Sequence, residues 1–238
     1  MDSVDVVFCG KNLKMLVNNI MKRLLLDHVY DILKLRVLDK QSERMGFFGD
    51  EFWKHPVLVT VNSKSDNYWL FLTIHDSFPY AVLISKHIRI GYPYPKMFDI
   101  SEHVHMGDVS FFNNTLFDCE LIGDKTLATQ VPIVLLFSDI LIQGNKDMRC
   151  VNPCVRFANV RSILKHIVNS SKQVFLFRVK TVFHKGNLRH LRWFVQRLPY
   201  ETYGLTFYSC SPTVYEPRVW FDRAQELYSK AEKKTIRG

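Results

Sequence analysis

A chain of 238 residues that is 47% hydrophobic, with 18 Phe, 10 Tyr and 4 Trp, carries enough apolar material for one large domain or a large and a small one, while 10 Gly and 9 Pro exclude collagen-like and low-complexity classes. The net charge of +9 is unevenly placed: between Asp147 and Glu201 lie eleven Lys and Arg and no acid, leaving 21 basic against 23 acidic residues elsewhere. Basic charge confined to one segment is a footprint for a polyanion, and phosphate is its usual form.

The chain opens Met1-Asp2-Ser3-Val4-Asp5, acidic where a secretory leader is basic. Five scattered cysteines, an odd number, read as reduced thiols, so an intracellular location is expected. Residues 11–45 have helical spacing through Leu13, Leu16, Val17, Ile20 and Leu24, extended by Val29, Ile32 and Leu33, with Gly46 and Gly49 closing the segment. Short β-branched and aromatic runs follow at Val57–Val61, Tyr68–Ile74, Tyr80–Ser85 and Ile88–Ile90. Thr115–Ile122 and Ile133–Ile142, around the turn Gly123-Asp124-Lys125, complete what reads as an antiparallel meander rather than βαβ units. The apolar run 131–142 is interrupted by Pro132, Ser138 and Asp139 and is too short to span a bilayer, so no membrane partner is expected. Residues 157–169 are helical in spacing through Val160, Ile163, Leu164 and Ile167; Val174–Val182 reads as a strand, Asn187–Arg197 as a helix and Leu205–Tyr208 as a strand. The tail from Arg223 is polar with helical preference. The fold class is α+β, divided into an N-terminal helical segment 1–49, a main domain 50–215 and a polar tail 216–238.

Several residue groups carry possible chemistry. Lys64-Ser65-Asp66-Asn67 joins two strand patterns; a lysine there is a nucleophile once its amine sheds a proton, and otherwise part of a polar turn. Asp118 and Glu120, at i and i+2 of a strand, face one side, where a metal or cation would hold them together; a solvent-facing edge is the alternative. Arg178 and Lys180 share a strand face by the same spacing and suit an anion or a solvated surface. Phe137, by composition, is a core residue. Cys150, Cys154 and His166 form an incomplete zinc set, for which buried thiols are the better reading, and His103 with His105 a surface pair.

In order, these segments resemble the nucleotidyltransferase domain of mRNA capping enzymes, a covalent lysyl-nucleotide superfamily shared with DNA and RNA ligases. Lys64-Ser65-Asp66 is similar to the first half of that family's Lys-x-Asp-Gly-x-Arg motif, and Asp118-Cys119-Glu120 to its Asp-Gly-Glu strand. The run from Leu136-Phe137 to Gly144 resembles a Phe-Asp strand ending in Gly, and Asn152-Pro153-Cys154-Val155-Arg156 resembles an Arg-containing helix entry. Phe175-Leu176-Phe177-Arg178-Val179-Lys180 is close to a Phe-x-x-Arg-x-Lys strand, and Glu201-Thr202-Tyr203-Gly204-Leu205-Thr206-Phe207 to Glu-Thr-Asp-Gly-Leu-Ile-Phe. The likeness covers roughly residues 50–215, and its last segments favour the capping branch over ATP-using ligases. Divergent late expression factors of large insect DNA viruses are of this kind, which implies a host nucleus or cytoplasm as the setting.

The resemblance implies an antiparallel-sheet, ATP-grasp-like domain with flanking helices, and a guanylyltransferase. Lys64 would attack the α-phosphate of GTP and carry GMP to the 5′-diphosphate end of RNA. Asp66, Phe137, Arg178, Lys180 and Gly204 would bind the nucleotide, with Phe137 stacked on guanine, and Asp118, Glu120 and Glu201 would border a Mg2+ or Mn2+ site. The family pattern also departs here: Asn67 stands for Gly, Trp69 for Arg, Cys119 for Gly and Tyr203 for Asp, no closing Lys-x-Lys motif falls near 222–228, and a C-terminal OB-fold domain is not expected within these residues. Those departures imply either an enzyme whose lid comes from a separate OB-fold subunit, or an alternative, a catalytically degenerate relative that binds RNA or a viral RNA polymerase.

Overall fold

The computed structural model describes residues 3–8, 11–33, 54–122, 133–168, 174–210 and 218–220. In chain order these form β1 (Ser3–Phe8), β2 (Lys11–Leu16), α1 (Asn19–Leu33), β3 (Val57–Ser63), β4 (Asp66–His75), β5 (Phe78–Ser85), β6 (Met97–Asp99), β7 (His105–Met106), β8 (Thr115–Ile122) and β9 (Ile133–Gln143). They continue with β10 (Lys146–Asp147), α2 (Pro153–Leu164), β11 (Ile167–Val168), β12 (Phe175–Val179), β13 (Phe183–His184), α3 (Leu188–Val195), β14 (Thr202–Ser209) and β15 (Arg218–Trp220). The fold is α+β and mainly antiparallel. Two compact units interleave along the chain: the first takes Met1–Lys40, Ser65–Val151 and Val155–Val179, the second Gln41–Lys64, Asn152–Cys154 and Lys180–Gly238. The expected boundaries at 49/50 and 215/216, and the helical tail from Arg223, lie outside the described residues.

The first unit is built on a sheet of order β1-β2-β6-β5-β4-β8-β9-β10, with β12 added beside β9. Side chains alternate along β4: Tyr68, Leu70 and Leu72 join one apolar cluster, Trp69 and Phe71 the other. A sheet covered on both faces is written in nearly continuous apolar runs, as β8 and β9 are. The β4–β5 hairpin closes through Asp76 and Ser77, both at positive φ (49° and 66°), the pattern of a two-residue turn matched to strand twist.

Four expectations about elements are corrected. The helix expected from residue 11 begins at Asn19, because Asn18 Oδ1 accepts from Ile20 N and Met21 N and caps it there. Lys11–Leu16 instead pairs with β1, so the 1–49 segment is not wholly helical. The helix buries Leu25, Leu26, Val29 and Leu33, while Ile20 and Leu24 of the expected stripe face out; residues 34–45 lie outside the described set. Ile88–Ile90 is not a strand: it pairs with nothing in the sheets, and Ile88 and Ile90 are exposed. The sheet is also not purely an antiparallel meander, since β12 runs parallel to β9 (Phe175↔Ile133 to Val179↔Phe137), and α2 lies between them in the chain, as a parallel pair requires. That helix starts earlier than its apolar spacing indicates: Pro153 takes its first position and Asn152 Oδ1 accepts from Cys154 N at 2.9 Å.

In the second unit a sheet of order β13-β3-β14-β15 carries Val57, Val59, Val61, Leu205 and Phe207 in one apolar cluster with Leu191 of α3. Phe194, Val195 and Leu198 pack against the same cluster.

Candidate functional site

In the second unit, β3 and β14 pair antiparallel from Ser209↔Val57 to Thr202↔Ser63, with an irregularity between Thr202 and Gly204 that leaves Tyr203 as an extra residue. Such a bulge re-aims the chain beside it. The ladder ends with Lys64 N donating to Glu201 O at 2.8 Å, which sets the two residues side by side. Their side chains meet as well: Lys64 Nζ lies 3.0 Å from Glu201 Oε2, both groups largely exposed. Gly204, opposite Asn62, is buried next to the bulge.

Behind this pair sits a buried polar cluster. Asn62 Oδ1 accepts from Thr206 Oγ1 at 2.8 Å and from Lys180 Nζ at 3.3 Å, and all three residues are nearly inaccessible. Asn62 Nδ2 and Thr60 Oγ1, on the same strand face, are buried with no hydrogen-bond partner. Lys180 is therefore an interior lysine facing β3 rather than a partner of Arg178 on a shared surface; β12 ends at Val179, and Arg178 is exposed on it. The strand expected through Val182 stops short, so the i, i+2 rule no longer applies to that pair.

The other expected site residues belong to the first unit. Asp66 begins β4 and is exposed. Asp118 and Glu120 lie on β8 on the face opposite Phe117 and Cys119, as the alternation requires. Asp118 is half-buried and its Oδ1 accepts from Lys86 Nζ at 2.6 Å; the ammonium also stands 5.9 Å from the centroid of the Trp69 ring, directly across the β4–β8 ladder. Glu120 is buried opposite Asn67. Phe137 is a core residue with no exposed surface, edge-on to Phe117 at 5.1 Å and 6.2 Å from Phe177. A ring enclosed in this way presents no face to guanine, so the expected stacking role is corrected to packing. The Arg of the helix entry is structural too: Arg156 Nε and Nη2 donate to Asp139 Oδ1 and Oδ2, each at 2.9 Å, and Nη1 donates to Val151 O at 2.7 Å. Burial pushes the Asp139 carboxyl up, against the pull of Arg156.

Lys86, Asn62 and Thr60 carry no signal in the sequence, and Thr206 appears there only as a motif member without a role. Lys86 follows a strand end and lies 32 residues from its carboxylate, and the other three read as ordinary polar residues in strands. For cations, the described residues hold no cluster of three or more His, Cys, Asp or Glu, and none of their helices is long and apolar enough to cross a membrane. Cys154 and Cys210 are neighbours in the second unit, where Asn152 accepts from Cys154 N and donates to Cys210 O at 3.3 Å. Burial and the adjacent Cys154 thiol push the Cys210 thiol up to about 11. Compared with known proteins, the chain matches no family model, and no curated protein matches it.

Proposed function

We propose that the chain is a nucleotidyltransferase of the RNA-capping type, in which Lys64 takes GMP from GTP and passes it to the diphosphate end of RNA. The observation that supports this reading is the exposed Lys64–Glu201 pair, 3.0 Å apart at the end of the β3–β14 ladder and fixed by a backbone hydrogen bond. A nucleophile needs an approach path for a large triphosphate, and both groups have one.

Lys64 Nζ releases a proton to solvent and attacks the α-phosphorus of GTP. The P–N bond forms as the bond to the β-phosphate's bridging oxygen breaks, and pyrophosphate leaves with that electron pair. A β-phosphate oxygen of the RNA end then attacks the same phosphorus, the P–N bond breaks, and the departing amine regains a proton. Glu201 holds the lysine side chain at the mouth of the ladder before GTP arrives. Bound magnesium would supply charge neutralisation on the triphosphate, and a carboxylate of this chain would hold it. Each candidate carboxylate is paired with a lysine, Glu201 with Lys64 and Asp118 with Lys86; Glu201, the exposed one, would exchange its partner for the metal more readily than the largely enclosed Asp118. GTP-dependent exchange of labelled pyrophosphate into GTP tests the first step: exchange in the wild type and none in Lys64→Ala is expected, and exchange persisting in the variant would remove Lys64 from the reaction.

A second reading, a catalytically degenerate relative that keeps RNA binding, is favoured by the enclosed Phe137 and the Lys86-bonded Asp118. Absence of exchange in protein that still binds RNA would put it first.

A further inference from the structure

From Lys180 to Tyr200 the second unit carries five Lys and Arg residues and no acid. The centre of this stretch is α3, whose inner side packs on the sheet through Leu191, Phe194 and Val195. Its outer side is unlike an ordinary solvated helix face. Trp193 stands on it 55% exposed, and the Arg197 guanidinium carbon lies 3.4 Å from the indole centroid. One ring face is thus covered by a planar cation, and the high exposure leaves the other open. His190 lies three residues before Trp193, so the two share a helix face, with exposed Arg192 at its margin, while Arg197 lies two residues past the helix end and stacks back onto the indole.

A flat aromatic ring flanked by guanidinium groups matches an unpaired base with phosphates on either side. In a duplex the bases are stacked on one another and unavailable to the ring, so the match is to a single strand. We propose that the outer face of α3 binds single-stranded RNA, with a base stacked on Trp193 and phosphates held by Arg192 and Arg197; the choice of RNA rests on the acceptor assigned above. This extends that reading from the reacting end of the RNA to the strand behind it.

The test is fluorescence anisotropy of a short end-labelled single-stranded RNA with the intact protein and no GTP, at several salt concentrations, with thermal unfolding confirming that each variant is folded. Trp193→Ala should weaken binding about 5- to 100-fold, and Trp193→Phe should keep most of the affinity. Arg197→Gln should lower the slope of log affinity against log salt by about 0.7, one phosphate contact. Equal binding by Trp193→Ala and wild type would overturn the proposal, as would duplex RNA bound as tightly as the single strand, or single-stranded DNA bound where RNA is not. Because no nucleotide is present, the outcome is separate from guanylyl transfer: Trp193-dependent binding without pyrophosphate exchange leaves the RNA face standing, and exchange without Trp193-dependent binding removes it alone.

Discussion

Lys64 and Glu201 are held together by backbone and charge at once, and only the charge is removable by substitution. Glu201→Gln is therefore expected to leave the thermal midpoint unchanged, since exposed ion pairs contribute little, while lowering pyrophosphate exchange about 10- to 100-fold. A drop in midpoint with unchanged exchange would make Glu201 structural. Lys86 is the opposite case. Its bond to Asp118 is four-fifths enclosed, so Lys86→Ala leaves a carboxylate short of its partner and should cost about 1–3 kcal/mol in urea unfolding; a neutral result would show that water replaces the ammonium. The Cys210 thiol, pushed up to about 11 by burial and Cys154, is a thiol rather than a thiolate at pH 8. It should alkylate much more slowly there than the exposed Cys150, and speed up as pH nears 11. The linkage sign agrees: ionisation favours the unfolded chain, so this group's contribution to stability falls as pH rises from the free-thiol value towards 11. At this scale the sequence was only partly legible. Lys64 and Glu201 were named by motif order, and the structure brings them together. Phe137 was misjudged because its resemblance outweighed its composition, which already read as core. Lys86 carried no local signal, because the cation beside Asp118 comes from across a turn and not from position 69.

Among elements, the buried Arg156–Asp139 pair joins α2 to β9 with two parallel bonds, and further bonds reach the carbonyls of Val151 and Arg149. Arg156→Ala strands a buried carboxylate and should cost about 3–5 kcal/mol in urea unfolding, with Asp139→Asn in the same chain recovering part of the loss. Equal losses from the single and double variants would show that packing, not charge, is at stake. Strands of long apolar runs were legible: β8 was expected over its observed span, and β4, β5 and β9 within two residues at each end. The short strands β6, β7, β10, β11 and β13 were not, because two or three residues carry no period and exist only through their partners. Lys11–Leu16 failed for another reason: Leu13 and Leu16 satisfy helical spacing, yet pairing with β1 and capping by Asn18 decide the matter.

For the whole molecule, the α+β class followed from the mixture of aromatic strand runs and helical spacings, and the parallel β9–β12 pair did not, since its two strands lie apart in sequence. The basic stretch divides by use. Arg149 and Arg156 bond to Asp147 and Asp139, Lys180 is interior, and the exposed remainder includes the outer face of α3. Net charge counted along the chain overstates the positive surface offered to a polyanion, and the division leaves the outer face of α3 as the part that the proposed RNA binding would use. Everything turns on whether Lys64 carries the nucleotide. The direct measurement is incubation with α-labelled GTP and magnesium, followed by a denaturing gel and peptide mapping of the label. The account predicts label retained at the protein's mass, removed by pyrophosphate, mapped to Lys64 and absent from Lys64→Ala. Label on another residue, or none from GTP with folded protein, would contradict it.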